Sequence, residues 1–242
     1  MNKRVLFSLV FIFCLITATA HSHATKLSPQ KVDDPFSDSK CPSFVILSYG
    51  SYIYNAPSKY DVVFWPETNE NWIWQCPKSG YTSLGSDFDE LTDSHRARIR
   101  PFLTKHYSQD DPPMDLETRL LFMEKIYELR ERDNSFWSWF YRLMAYWHDK
   151  LGKPEVASNY RKKALPLIES LASELDPGVG KIEAAYLAGE YHRRIGHPEE
   201  AKKYFSQAKA IRWTNDDGDI QVGNEFFDSL IDDRLALMRQ GE

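Results

Sequence analysis

The chain has 242 residues, of which 30 are basic and 35 acidic, so its formal net charge at pH 7 is −5. This balance argues against nucleic acid as a partner, because phosphate binding depends on clusters of Lys and Arg that the acids here offset. Aromatic residues make up 14% of the chain, which excludes an intrinsically disordered protein.

The first 24 residues have the pattern of a secretory signal peptide. Lys3 and Arg4 supply a charged start, residues 5–17 form an apolar run, and small residues follow it. The run is shorter than the roughly 18 apolar residues that a membrane span needs, and no later stretch reaches that length. We therefore expect residues 1–24 to be removed and the protein to be periplasmic or secreted.

The next two segments differ in composition. Residues 25–40 are polar and show no hydrophobic period, which predicts a flexible leader. Residues 41–85 carry β-branched and aromatic runs separated by Pro and Gly, and these runs cover residues 44–47, 61–65 and 71–75. They predict a small antiparallel β unit, in which Trp72 and Trp74 pack against helices.

Residues 86–242 are predicted to be helical, because their apolar positions recur with a period of 3.6. The expected N-caps are Ser86 or Asp87, Asp115 and Ser135. The predicted ranges are a short helix after residue 86, then residues 93–106, 116–132, 136–151 and 223–239. Most of the aromatic residues between 136 and 147 are expected to pack in the core.

A short phrase occurs twice in the helical part. Gly152-Lys153-Pro154-Glu155-Val156-Ala157 returns 44 residues later as Gly196-His197-Pro198-Glu199-Glu200-Ala201. In each copy, the Gly ends one helix in the left-handed conformation and the Pro occupies the first turn of the next. Two stacked helical hairpins are therefore predicted. His148 and His192 precede the two glycines by four residues, which favours equivalent packing over a shared metal site.

The second hairpin resembles a tetratricopeptide repeat in the spacing of its small and large residues, Gly189, Gly196, Ala201, Phe205 and Ala208. The first hairpin matches at Gly152, Ala157 and Ala164, but has Ala145 where a Gly belongs and Arg161 where a large apolar residue belongs. We therefore expect a mostly α fold: a tetratricopeptide-like helical hairpin array with a small N-terminal antiparallel β ribbon.

The N-terminal unit carries two short motifs, Cys41-Pro42-Ser43-Phe44 and Cys76-Pro77-Lys78-Ser79-Gly80-Tyr81. They resemble the zinc ribbon CPxC…CPxCGY of the bacterial domain of unknown function 2225 family, which also has tetratricopeptide-like helices. Phe44 and Ser79 replace the second cysteine of each half, so a four-ligand zinc site is not expected. The resemblance implies that Cys41 and Cys76 form a disulfide in place of the metal. Free thiols and a metal site are the alternatives.

The sequence contains no nucleophile elbow, HExxH helix or phosphate-binding glycine loop. We therefore expect a non-enzymatic exported module that binds an unidentified protein or peptide without a cofactor or a metal. The candidate contact residues, on the first helix of each hairpin, are Arg142, Tyr146, Glu183, Tyr186 and Glu190. Two other functions stay open. One is an envelope thiol-redox or metal-binding protein that uses Cys41 and Cys76, and the other is a glycan-active enzyme that uses the aromatic residues between 136 and 147.

Overall fold

The computed structural model describes residues 26–48, 58–214 and 222–241. Within these ranges the chain forms two small antiparallel sheets followed by a helical region, with eight α-helices in all. The prediction of a mostly α fold with a small N-terminal antiparallel ribbon is confirmed. Assignment of the helices to the tetratricopeptide class stays a prediction, and the predicted signal peptide lies outside the described residues.

The first sheet pairs β1 (Lys26–Asp33) with β2 (Lys40–Ser48). The prediction of a flexible leader over residues 25–40 is therefore wrong. The polar residues of β1 suit a ribbon that is largely exposed to solvent. Pairing with β2 supplies partners for the backbone N–H and C=O groups of β1, although the sequence of β1 has no hydrophobic period typical of a strand. Asp34 closes the turn by accepting hydrogen bonds from the amide of Phe36 at 2.9 Å and the hydroxyl of Ser37 at 2.6 Å.

The second sheet pairs β3 (Ile73–Gln75) with β4 (Thr82–Leu84), after a 3-10 helix over Glu70–Trp72. The strand predicted over residues 61–65 does not form. Asp61 instead ends the short helix α1 (Ser58–Asp61), which makes contact with the helical hairpins, and residues 62–65 follow it without forming a strand.

The short helix predicted after Ser86 or Asp87 is also absent from the described residues. Asp87 is used in tertiary contacts instead, since its carboxylate accepts hydrogen bonds from Tyr127 at 2.6 Å and Ser83 at 2.9 Å. A carboxylate held in this way cannot also cap the amides of a local helix.

Seven longer helices follow: α2 (Asp93–His106), α3 (Leu116–Glu128), α4 (Asn134–Lys150), α5 (Pro154–Glu174), α6 (Val179–Arg194), α7 (Pro198–Ala210) and α8 (Val222–Gln240). Asp115 caps α3 as predicted, by accepting from the amide of Thr118 at 2.8 Å. The cap of α4 is Asp133 rather than Ser135, because the carboxylate of Asp133 reaches the amide of Phe136.

The two predicted hairpins are present. Gly152 and Gly196 have φ angles of 71° and 82°, and a proline begins the helix after each. Helix α4 packs along α5, α6 packs along α7, and α5 contacts α6, so the hairpins stack side by side. A Cβ atom at Gly189 would lie 2.5 Å from the ring of Phe205, which shows how closely α6 and α7 approach.

The 44-residue repeat extends to the packing of aromatic side chains between the helices. His148 stacks on Tyr160 with ring centroids 5.2 Å apart, and His192 stacks on Tyr204 at 5.4 Å. Each tyrosine hydroxyl also donates to a glutamate. The packing role predicted for the two histidines agrees with this geometry.

The core has two parts. The first joins the β unit to α2, α3 and α4 and includes Trp72, Trp74 and Phe140, while the second lies among α5, α6, α7 and α8. Trp72 and Trp74 are buried as predicted. In the described part of the chain, no helix is both long and apolar enough to span a membrane.

Candidate functional site

The predicted contact residues lie on α4 and α6, on the side of these helices that faces α1. We call this side the inner face. Four of the five residues are buried there, namely Arg142, Tyr146, Tyr186 and Glu190, and only Glu183 is partly exposed. These four side chains are therefore covered in the free protein, and their role as contact residues stays a prediction.

Part of the inner face is covered by the chain itself. Residues 58–64, which we call the inserted segment, lie against α4 and α6. Val62 enters the second core, and its neighbour Val63 enters the first. The inserted segment therefore joins the two parts of the core.

Asp61 anchors the inserted segment electrostatically. Its carboxylate is fully buried, accepts hydrogen bonds from Arg161 at 3.3 and 3.2 Å, and lies 3.8 Å from the guanidinium of Arg194. Burial opposes ionisation of this carboxyl, but Arg194 and Arg161 outweigh it and hold the pKa of Asp61 below its usual value. Asp61 is therefore an anion in the folded protein at neutral pH.

Asp61 belongs to a chain of alternating charges across the inner face. Arg161 also pairs with Asp149 at 2.5 Å, and Arg194 pairs with Glu190 at 2.6 Å. Glu190, fully buried, lies 3.7 Å from Arg234 of α8. Removing one member of such a network leaves a buried charge without its partner, so each member depends on the others.

The backbone and the aromatic ring of the inserted segment are held as well. Arg142 donates to the carbonyls of Asp61 at 3.3 Å and Val62 at 3.4 Å, and the hydroxyl of Tyr186 donates to the carbonyl of Tyr60 at 3.2 Å. The guanidinium of Arg234 lies 3.4 Å from the centre of the Tyr60 ring, a cation–π contact.

The inner face continues beyond the inserted segment into an open groove of about 430 Å³. Arg142 and Glu183, paired at 2.9 Å, line the groove, and Arg142 also donates hydrogen bonds to the inserted segment. The groove walls are mainly apolar and come from α4, α5 and α6, with Trp139, Leu171 and Leu187 among them. A groove of this size, apolar with a few charged groups, has the character of a ligand site.

Cys41 and Cys76 form a disulfide, as the resemblance implied. Both cysteines are fully buried, and Asp34 lies beside them, with its carboxylate within 4.8 Å of both sulfurs. Ser79, at the position of a missing motif cysteine, donates a hydrogen bond to Asp34 at 2.9 Å. The disulfide and the hydrogen bond from Ser79 to Asp34 therefore hold the two cysteine motifs together.

Sequence reasoning missed the inserted segment and three arginines that hold it, Arg161, Arg194 and Arg234, although Arg142 was among the predicted contact residues. Residues 61–65 have the composition of a strand, and Asp61 lies 100 residues from Arg161, so no local pattern joins them. One signal was available: Arg161 stands where the repeat pattern has a large apolar residue. A charged residue at a core position needs a buried partner.

Comparison with known proteins gives one match. The sequence profile of the family described as "Uncharacterized protein conserved in bacteria (DUF2225)" matches residues 54–221. This range contains Cys76, the inserted segment and both hairpins, and it begins after Cys41. No curated protein and no solved structure matches the chain.

Proposed function

The chain belongs to the DUF2225 family, and we propose that it is an exported, non-catalytic module that binds a protein or a peptide through the inner face of a tetratricopeptide-like array. The observation that carries the proposal is the inserted segment, because the inner face binds this segment through the same kinds of contact by which proteins bind peptides. Those contacts are side-chain donors to backbone carbonyls, a paired carboxylate and a covered aromatic ring.

The charges of the inner face favour binding over catalysis. A general acid or base needs a group that can exchange a proton with a substrate. Asp61 is instead fully buried and ion-paired with Arg161, and Glu190 is fully buried and paired with Arg193 and Arg194. Such pairing suits the recognition of a charged polypeptide.

The disulfide supports the proposed location. Disulfides persist in oxidising compartments, which agrees with export to the periplasm or beyond the cell. The alternative, a thiol-redox protein, requires attack by a thiolate on one of the two sulfurs. Complete burial of Cys41 and Cys76 supports a structural bridge instead.

Selection from a library of random peptides displayed on phage tests the proposed function. The wild-type protein is expected to enrich a family of related peptides, since the open groove offers both apolar walls and a charged pair. Trp139 lines this groove, so Trp139→Ala should weaken binding of the selected peptides by at least about tenfold.

Leu121→Ala is the matched control, because Leu121 is an exposed apolar residue of α3 that does not line the groove. It should bind the selected peptides as the wild type does. The proposal is refuted if no peptide family is enriched, or if a folded Trp139→Ala variant binds with unchanged affinity.

A further inference from the structure

The inserted segment occupies three adjacent sites on the array, one for each of three consecutive side chains. The ring of Tyr60 lies against Arg234, and its hydroxyl donates to Asp233 at 3.0 Å. The carboxylate of Asp61 lies between Arg161 and Arg194. Val62 lies in the second core. Together these sites fit an aromatic residue, an aspartate and a β-branched residue in sequence.

The array supplies more positive than negative charge at the central site. Arg161 and Arg194 share the carboxylate of Asp149 with each other, and Arg194 shares the carboxylate of Glu190 with Arg193 and Arg234. Asp61 is the carboxylate that comes from outside the array. Without Asp61, the largely buried positive charges of two guanidinium groups would lose one of the carboxylates that neutralise them, so the site favours an anionic side chain.

The inserted segment also carries backbone strain. Val62 has a φ angle of 51°, in the left-handed region that β-branched residues strongly disfavour. The contacts of Asp61 and the carbonyl bonds from Arg142 hold it there.

From these observations we infer that the inner face recognises, in a second polypeptide, a segment with an aromatic residue followed by aspartate, and that residues 58–64 occupy this site as an intramolecular ligand. The inference rests on the proposed function and names its ligand class. A partner segment gains access by exchanging with the inserted segment, so its carboxylate takes the place of Asp61 between Arg161 and Arg194.

Fluorescence anisotropy with a labelled peptide tests this inference. The probe is the eight-residue peptide Ser-Lys-Tyr-Asp-Val-Val-Phe-Trp, which has the sequence of residues 58–65. Asp61→Asn weakens the intramolecular contact, so this variant is expected to bind the probe at least about tenfold more tightly than the wild type does. A probe with Asn in place of its Asp should bind the variant at least about tenfold less tightly.

Two further variants complete the design. Asp228→Asn removes a partly exposed carboxylate that pairs with Arg212 on the surface, and it should bind the probe as the wild type does. Tyr60→Ala removes the ring contact with Arg234 and keeps Asp61, so it also weakens binding of the inserted segment to the inner face. It replaces Asp61→Asn in the test if that variant does not fold, and we call both of them opened variants. Circular dichroism establishes which variants are folded.

The outcomes separate this inference from the proposed function. Tighter binding by the opened variants that depends on the probe's aspartate supports the inference. If folded opened variants bind the probe no better than the wild type, while selected phage peptides still bind, the inference is wrong and the proposed function stands. If neither the probe nor any displayed peptide binds, both are wrong.

Discussion

Replacing Asp61 by Asn should destabilise the fold strongly. Asn keeps the size of the side chain but removes the charge that Arg161 and Arg194 compensate. Breaking a buried ion pair costs about 3–5 kcal/mol. Both arginines keep a second carboxylate, Asp149 or Glu190, so we expect the lower end of that range, about 3 kcal/mol.

The assay is urea unfolding followed by far-UV circular dichroism, with the free energy of unfolding compared between wild type and variant. Asp228→Asn is the control, because its pair with Arg212 is partly exposed and such pairs contribute about 0–1 kcal/mol. The reasoning is refuted if Asp61→Asn destabilises the protein no more than the control does.

The same comparison has a defined pH dependence. The folded pKa of Asp61 lies below 3.8, its usual value, so the unfolded chain binds the proton more readily. The stabilisation is therefore complete above a pH of about 4 and is lost as the pH falls through the folded pKa. The difference in the free energy of unfolding between wild type and Asp61→Asn should be constant near neutral pH and should become smaller only below about pH 4.

Three other predictions use the same unfolding assay. Gly189→Ala should destabilise the fold by about 1–3 kcal/mol, because its Cβ would lie 2.5 Å from the ring of Phe205; an unchanged midpoint would contradict the packing described. Replacing Cys41 and Cys76 together by Ala should cost about 3–4 kcal/mol, given their separation of 35 residues, and a difference under about 1 kcal/mol would exclude a structural disulfide. Burial lowers the pKa of His148 below 6.5, so wild-type stability should fall as the pH drops below that value, and His148→Phe should reduce this slope; an equal slope in both proteins would show that His148 is not the cause.

The helical hairpins could be predicted from sequence because their signals are local. Gly152 and Gly196 require left-handed turns, and a proline two residues later begins the next helix in each case. The helix predicted over residues 223–239 corresponds to α8 for the same reason, since its apolar period lies within one continuous stretch.

The parts that sequence reasoning missed depend on distant partners. Strand β1 is polar and forms because β2 pairs with it, which no period of its own could indicate. Residues 61–65 have β-branched and aromatic side chains, but Asp61 binds Arg161 and this contact overrides local propensity. The repeat placed the five candidate residues on α4 and α6, whereas no sequence signal indicated that residues 58–64 cover them.

Hydrogen exchange of the wild-type protein, with and without a saturating amount of the eight-residue probe, tests most directly whether the inserted segment is a ligand of the array. The amide of Val63 donates to the carbonyl of Ser58 at 2.9 Å and should be protected in the free protein. We predict that the probe accelerates exchange at Val63 at least about tenfold while exchange in α7 stays the same. Unchanged or slower exchange at Val63 under these conditions would contradict the account.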